Sequence, residues 1–81
     1  MNVPQWEYRA AEERQRSEEL GEYATYALQA WERQGEGWAL AEIVHDFSPD
    51  GEDAAQAARL FTEHQLDPIH LRDAAEDYLD S

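Results

Sequence analysis

Apolar residues follow two rhythms along this chain, and the change comes near residue 48. Between Tyr23 and Arg33 they alternate, with Tyr26, Leu28 and Ala30 on one side and Tyr23, Thr25, Ala27 and Trp31 on the other, which is the period of a strand. Trp38 to Phe47 is likewise rich in aromatic and β-branched residues and too short for a stable amphipathic helix. Gln34-Gly35-Glu36-Gly37 lies between them and supplies the glycines that a tight turn needs for positive φ, so the two stretches predict a β-hairpin. Further on the period lengthens. Ala54, Ala57, Ala58 and Phe61 recur at i, i+3, i+4 and i+7, with Leu60 beside them, and predict a helix running to about His64. Leu71, Ala74, Ala75, Tyr78 and Leu79 form the buried face of a second helix, with Ile69 closing its first turn.

Both helices carry start signals. Ser48 is expected to cap the first, with Pro49 at the first helical position, and Asp50 is a rival cap; Glu52 and Asp53 then complement the positive end of the helix dipole. Asp67 and Pro68 repeat this logic for the second helix. The short link Gln65-Leu66 makes the two helices neighbours.

Residues 5 to 20 set two principles against each other. Ala10-Ala11-Glu12-Glu13-Arg14-Gln15-Arg16 are good helix formers, and Pro4 and Gly21 stand where a helix would start and stop. Yet after Trp6 and Ala10 no helical stripe continues until Leu20, whereas Trp6, Tyr8 and Ala10 alternate as an edge strand does, and a lone hairpin gains from a third strand. The expected fold is therefore α+β in a single domain spanning 1–81: a three-stranded antiparallel meander with strands at about 5–16, 22–33 and 37–47, packed on one face by helices at about 50–64 and 68–80. The alternative replaces the first strand with an N-terminal helix.

Three stretches carry a family likeness: Tyr23-Ala24-Thr25-Tyr26-Ala27-Leu28, then Asp46-Phe47-Ser48-Pro49-Asp50, then Leu66-Asp67-Pro68-Ile69-His70-Leu71-Arg72-Asp73 closing with Glu76-Asp77-Tyr78-Leu79. From about Leu20 to Leu79 the chain resembles an uncharacterised family of short acidic proteins from clostridial bacteria. It departs from that family at Ala27, where a glycine is usual, and at Ala74-Ala75, where larger β-branched residues are usual; both imply a thinner core. The resemblance implies a small sheet followed by two helices, tips residues 5 to 16 toward a strand, and brings no known activity.

Charge narrows the function classes. Nineteen Asp and Glu stand against six cations, all arginine, for a formal net charge of −13. Nucleic acid is disfavoured as a direct ligand because phosphate contact needs clustered cations, and anionic membranes are disfavoured for the same reason. No lysine is present for Schiff-base or P-loop chemistry and no cysteine for thiolate, disulfide or zinc-thiolate chemistry, a composition that suits a reducing cytoplasm. The first residues show no basic region followed by an apolar run, and no stretch approaches the roughly 18 apolar residues of a membrane span. A soluble, cytoplasmic chain is the expectation. The aromatic content, three Trp, four Tyr and two Phe, is too high for a disordered segment.

The candidate site is an acidic stripe. Asp73, Glu76, Asp77 and Asp80 sit at i, i+3, i+4 and i+7 of the second helix, where they repel one another and the later ones oppose the helix dipole. A solvated face is the plain explanation; a surface docking on a basic partner is the functional one. Calcium does not suit a straight helix, and the loop from Asp46 to Asp53 lacks the spaced ligands of an EF-hand. His45, His64 and His70 are scattered, although His70 stands one turn from Asp73. Ser17, Ser48 and Ser81 include no strained, glycine-flanked nucleophile. Trp6, Trp31 and Trp38, with Tyr8 and Tyr23, serve as core or cross-strand pairs or as an aromatic patch on the open face of the sheet. The expected function is a non-enzymatic, cofactor-free and metal-free interaction module that engages a basic protein surface. In its narrower form it is a DNA mimic inhibiting a nuclease, repressor or CRISPR effector. The alternative is a small homo-oligomer, such as a homodimer, associating through the sheet face, with the acids serving solubility.

Overall fold

The computed structural model describes residues 4–80. Strands β1 (Trp6–Ser17), β2 (Gly21–Gln34) and β3 (Gly37–Ser48) form an open antiparallel sheet in the order β1-β2-β3. Helices α1 (Gly51–Glu63) and α2 (Leu71–Asp80) follow, with a 3-10 turn at Pro68–His70 leading into α2. The fold is thus the α+β arrangement expected, with the first strand present and not the N-terminal helix of the alternative. β1 pairs with β2 along its whole length, from Trp6↔Glu32 to Ser17↔Gly21, without a slip in register. Local helix propensity at Ala10 to Arg16 yields because that pairing satisfies the backbone and aims Tyr8 and Ala10 at the core.

Both turns use glycine where φ must be positive. Ser17 and Gly21 bracket a three-residue turn in which the Ser17 hydroxyl accepts from the Glu19 and Leu20 N–H groups, and Gly21 has φ +71°. Gly35, at φ +60°, is the first residue of the two-residue turn between Gln34 and Gly37.

Even-numbered residues of β1 and β2 face the helices. Tyr8, Leu28 and Ala30 meet Phe47, Ala54, Ala57, Ala58, Phe61, Leu71 and Ala75 in one buried cluster. The alanines let α1 approach the sheet closely. Phe61 stacks edge-on with both Tyr8 and Tyr78, and Tyr78 also contacts Phe47. The stripe Ala54, Ala57, Ala58 and Phe61 is buried as the periodicity predicts.

Details at the helix starts and ends differ. Asp50, not Ser48, caps α1: its carboxylate accepts from the Glu52 N–H at 2.9 Å, and Gly51 takes the first helical position. Ser48 instead lies buried, its hydroxyl accepting from the Asp50 N–H. Asp67 caps as expected, but the turn after it is a 3-10 helix, so Ile69 points outward and is 80% exposed. Leu79 is also outside the core, 51% exposed, because α2 is anchored through Leu71 and Ala75, with Ala74 and Tyr78 partly buried beside them.

The sheet edges are guarded differently. On β1 the Gln65 side chain behaves as a short mock strand: its Oε1 accepts from the Gln5 and Trp6 N–H groups at 2.8 and 3.1 Å, and its Nε2 donates to the Trp6 carbonyl at 2.9 Å. The Thr62 hydroxyl accepts from the Tyr8 N–H at 2.9 Å. On β3, register shifts opposite Ala30/Trp31 and Tyr26/Leu28 bulge the strand, and the Glu42 carboxylate accepts from the Ile43 N–H. Both devices blunt edge-to-edge pairing. β3 stops pairing at Tyr26↔Ser48, so the β1-β2 hairpin continues beyond it as a two-stranded arm tipped by Leu20, which is 72% exposed.

Candidate functional site

The i, i+3, i+4, i+7 spacing on α2 holds in three dimensions: Asp73, Glu76, Asp77 and Asp80 are all exposed on a helix whose one cation is Arg72. The buried Leu71 and Ala75 turn the remaining faces of the helix outward.

Beside this helix, between α2 and β3, lies a groove of about 380 Å³. Ile43, Val44, Phe47, Ala75 and Leu79 give it apolar walls, and His45, Asp46, Arg72 and Glu76 line it with charge and hydrogen-bonding capacity. Glu76 belongs to the acidic stripe as well. Leu79, expected in the core, is therefore a groove wall.

A second polar group was not anticipated from the chain. In the β3 bulge Asp46 has φ +51°, a left-handed conformation that Asp tolerates better than most residues. Its carboxylate accepts from the Thr25 hydroxyl at 2.7 Å and the Tyr23 hydroxyl at 3.0 Å, while its N–H donates to Glu13 Oε1 at 2.8 Å. Glu13 Oε2 lies 3.0 Å from His45 Nδ1. Residues from all three strands are clasped in this way beside the groove. Partial burial alone would raise the Glu13 carboxyl, but hydrogen bonds from His45, the Asp46 N–H and Gln15, with the charge of His45, outweigh it and hold its pKa below the ordinary value. The Tyr23 hydroxyl is pushed up, first by its hydrogen bond to Asp46 and then by desolvation and the Asp46 and Glu13 charges. No residue spacing announces this group, since its members meet only through the bulge.

In the loop from Asp46 to Asp53, Asp46 accepts from Tyr23 and Thr25, and Asp50 caps α1. Among the described residues no group of three or more His, Asp or Glu is placed to hold a metal ion. His64 and His70 are exposed, at the C-cap of α1 and at the end of the 3-10 turn.

The aromatic set divides between the two faces of the sheet. Trp6 and Tyr8 lie on the helix side, where the Tyr8 hydroxyl donates to the Leu66 carbonyl at 2.6 Å; burial, helped by the Asp67 charge, pushes its pKa up. Tyr23, Trp31 and Trp38 lie on the open face. Arg9 sits 5.0 Å from the Trp31 ring and Arg33 5.9 Å from that of Trp38, within cation–π range.

Among the described residues no helix is long and apolar enough to cross a membrane. No curated protein and no solved structure matches the chain. A family model does, over residues 1–81 and so beyond the stretch from Leu20 to Leu79 that carries the likeness in sequence. The chain belongs to a family of unknown function, DUF6514.

Proposed function

We propose that the protein is a non-enzymatic, cytoplasmic interaction module that engages a basic protein surface through α2 and the groove beside it. The observation that carries this reading is the meeting of two features at Glu76: an exposed row of carboxylates and an apolar groove that could seat an anchoring side chain. Carboxylates steer a basic partner and fix its register, while the apolar contact supplies most of the affinity. A net charge of −13 extends the steering field beyond the site itself. In the narrower form of the proposal the partner is a nuclease, a repressor or a CRISPR effector, and the acids stand where DNA phosphates would bind.

Pull-down from lysate tests it. A partner captured at low salt is expected to be lost at about 0.5 M salt, where the Debye length falls below about 5 Å. It is also expected to be lost when Asp73, Glu76, Asp77 and Asp80 are changed together to Asn or Gln in a variant with unchanged circular dichroism. Release of the partner by added duplex DNA supports the mimic form. Capture that survives the fourfold change refutes the site.

A further inference from the structure

We infer that the outer edge of β1 pairs antiparallel with the same edge of a second copy of this chain, about a two-fold axis at Glu13. Gln65 and Thr62 close that edge only as far as Tyr8. Because Trp6 and Tyr8 turn their N–H groups outward, strand alternation turns the N–H and C=O groups of Ala10, Glu12, Arg14 and Arg16 outward as well. None of these groups has a partner among the described residues. β1 runs on here without a bulge or a proline. Such a row of donors and acceptors is completed by one kind of occupant, an extended strand.

Charge and register select which strand. The chain as a whole carries −13, yet β1 holds three acids and three arginines and is neutral. A basic segment laid on this edge would meet Arg14 and Arg16, and an acidic one would meet the field of the whole molecule. A strand carrying both signs suits it, and β1 of a second copy is one. The one antiparallel two-fold register that uses all four open residues on both copies sets Glu12 against Arg14 twice and Ala10 against Arg16 twice. Glu12 and Arg14 are exposed, and the ion pair of Arg14 with Glu22, 3.3 Å apart on the surface, is weak enough to share. Glu13 meets its own copy at the axis, but its carboxylate is turned away, toward His45 Nδ1 at 3.0 Å and the Asp46 N–H at 2.8 Å on β3. The pairing also supports the arm. Beyond Tyr26 the hairpin has no β3 beside it, so Arg14 and Arg16 stand on a two-stranded ribbon, which gains from a third strand. In this register each arm runs beside Ala10 and Glu12 of the other copy, and one sheet continues through both.

Sedimentation equilibrium of the full chain tests the inference. Mass should rise from 9.4 kDa toward twice that value with increasing concentration. Arg14→Glu alone sets like charges opposite each other at both cross-strand sites, and so does Glu12→Arg alone. Each should weaken association at least about tenfold, with circular dichroism unchanged. Mixed together, the two variants should associate again, because every acid at positions 12 and 14 of one chain then faces an arginine of the other. A wild-type chain still monomeric at about 0.5 mM overturns the inference. Association that persists in both single variants overturns the choice of edge, and a mixture no tighter than either variant alone overturns the register.

Discussion

Replacing Gln65 tests whether a single side chain closes the β1 edge. Gln65→Ala removes two hydrogen bonds accepted from Gln5 and Trp6, one donated to the Trp6 carbonyl, and one donated to the Thr62 carbonyl at 2.7 Å. At about 0.5–1.5 kcal/mol net for each bond, and with the Gln5 contact exposed to competing water, the expected loss is about 2–3 kcal/mol. For a chain of this size that lowers the melting temperature by roughly 10–20 °C. The backbone of Gln65 adds a second, separable contribution, because its φ of +48° is left-handed. Gln65→Gly loses the same bonds but relieves about 1 kcal/mol of steric cost, so it should be the milder of the two changes. Urea unfolding monitored by circular dichroism measures both. Amide exchange at Trp6 and Tyr8 should speed up in the alanine variant before global unfolding does. If Ala and Gly cost the same, the left-handed backbone adds nothing; if both cost less than about 0.5 kcal/mol, the mock strand contributes little and the edge is closed by something else.

Two further outcomes follow from the same geometry. Because the Glu13 pKa is depressed in the fold, the stability it contributes is present above the ordinary carboxylate range and is lost as pH falls through the lowered folded value. Glu13→Gln should therefore flatten the acid limb of a stability–pH profile measured by urea titration, and an unchanged limb would contradict the clasp. At Gly51 an added Cβ would come within 2.9 Å of the Tyr26 ring and 3.1 Å of its hydroxyl oxygen. Gly51→Ala should thus destabilise by about 1–2 kcal/mol despite alanine's better helix propensity, and a rise in urea midpoint would show that Tyr26 swings aside at little cost.

The periodic parts of the fold were legible because they rest on local pattern. Alternation sorted Tyr26, Leu28 and Ala30 from Thr25, Ala27 and Trp31, and the helical stripe identified every buried residue of α1. β1 was legible only by balancing two signals, since its backbone finds partners across the sheet and its own residues favour a helix. Of the two caps weighed for α1 the rival Asp50 is the one used: Pro49 pointed to Ser48, but Ser48 is buried, with the Thr25 hydroxyl reaching its carbonyl. Asp67, by contrast, was legible as a cap from its position before Pro68. Leu79 and Ile69 were assigned inward because hydrophobicity was taken for burial, although a 3-10 turn and a short helix leave both outside. The Glu13, His45 and Asp46 clasp was invisible because a bulge decides it, and a bulge is a property of two strands together. Of the candidate site, the acidic row could be read from spacing alone, whereas the groove depends on how α2 lies against β3.

The β1-β2 arm has a consequence for how the molecule can be handled. With neither β3 nor a helix to hold its far end, its last rungs can open and close without disturbing the buried cluster, so their amides should exchange fastest within the sheet. The same independence makes the bend at Glu18, Glu19 and Leu20 a place to splice in a tag, a fluorophore site or a foreign peptide while the rest of the protein keeps its shape.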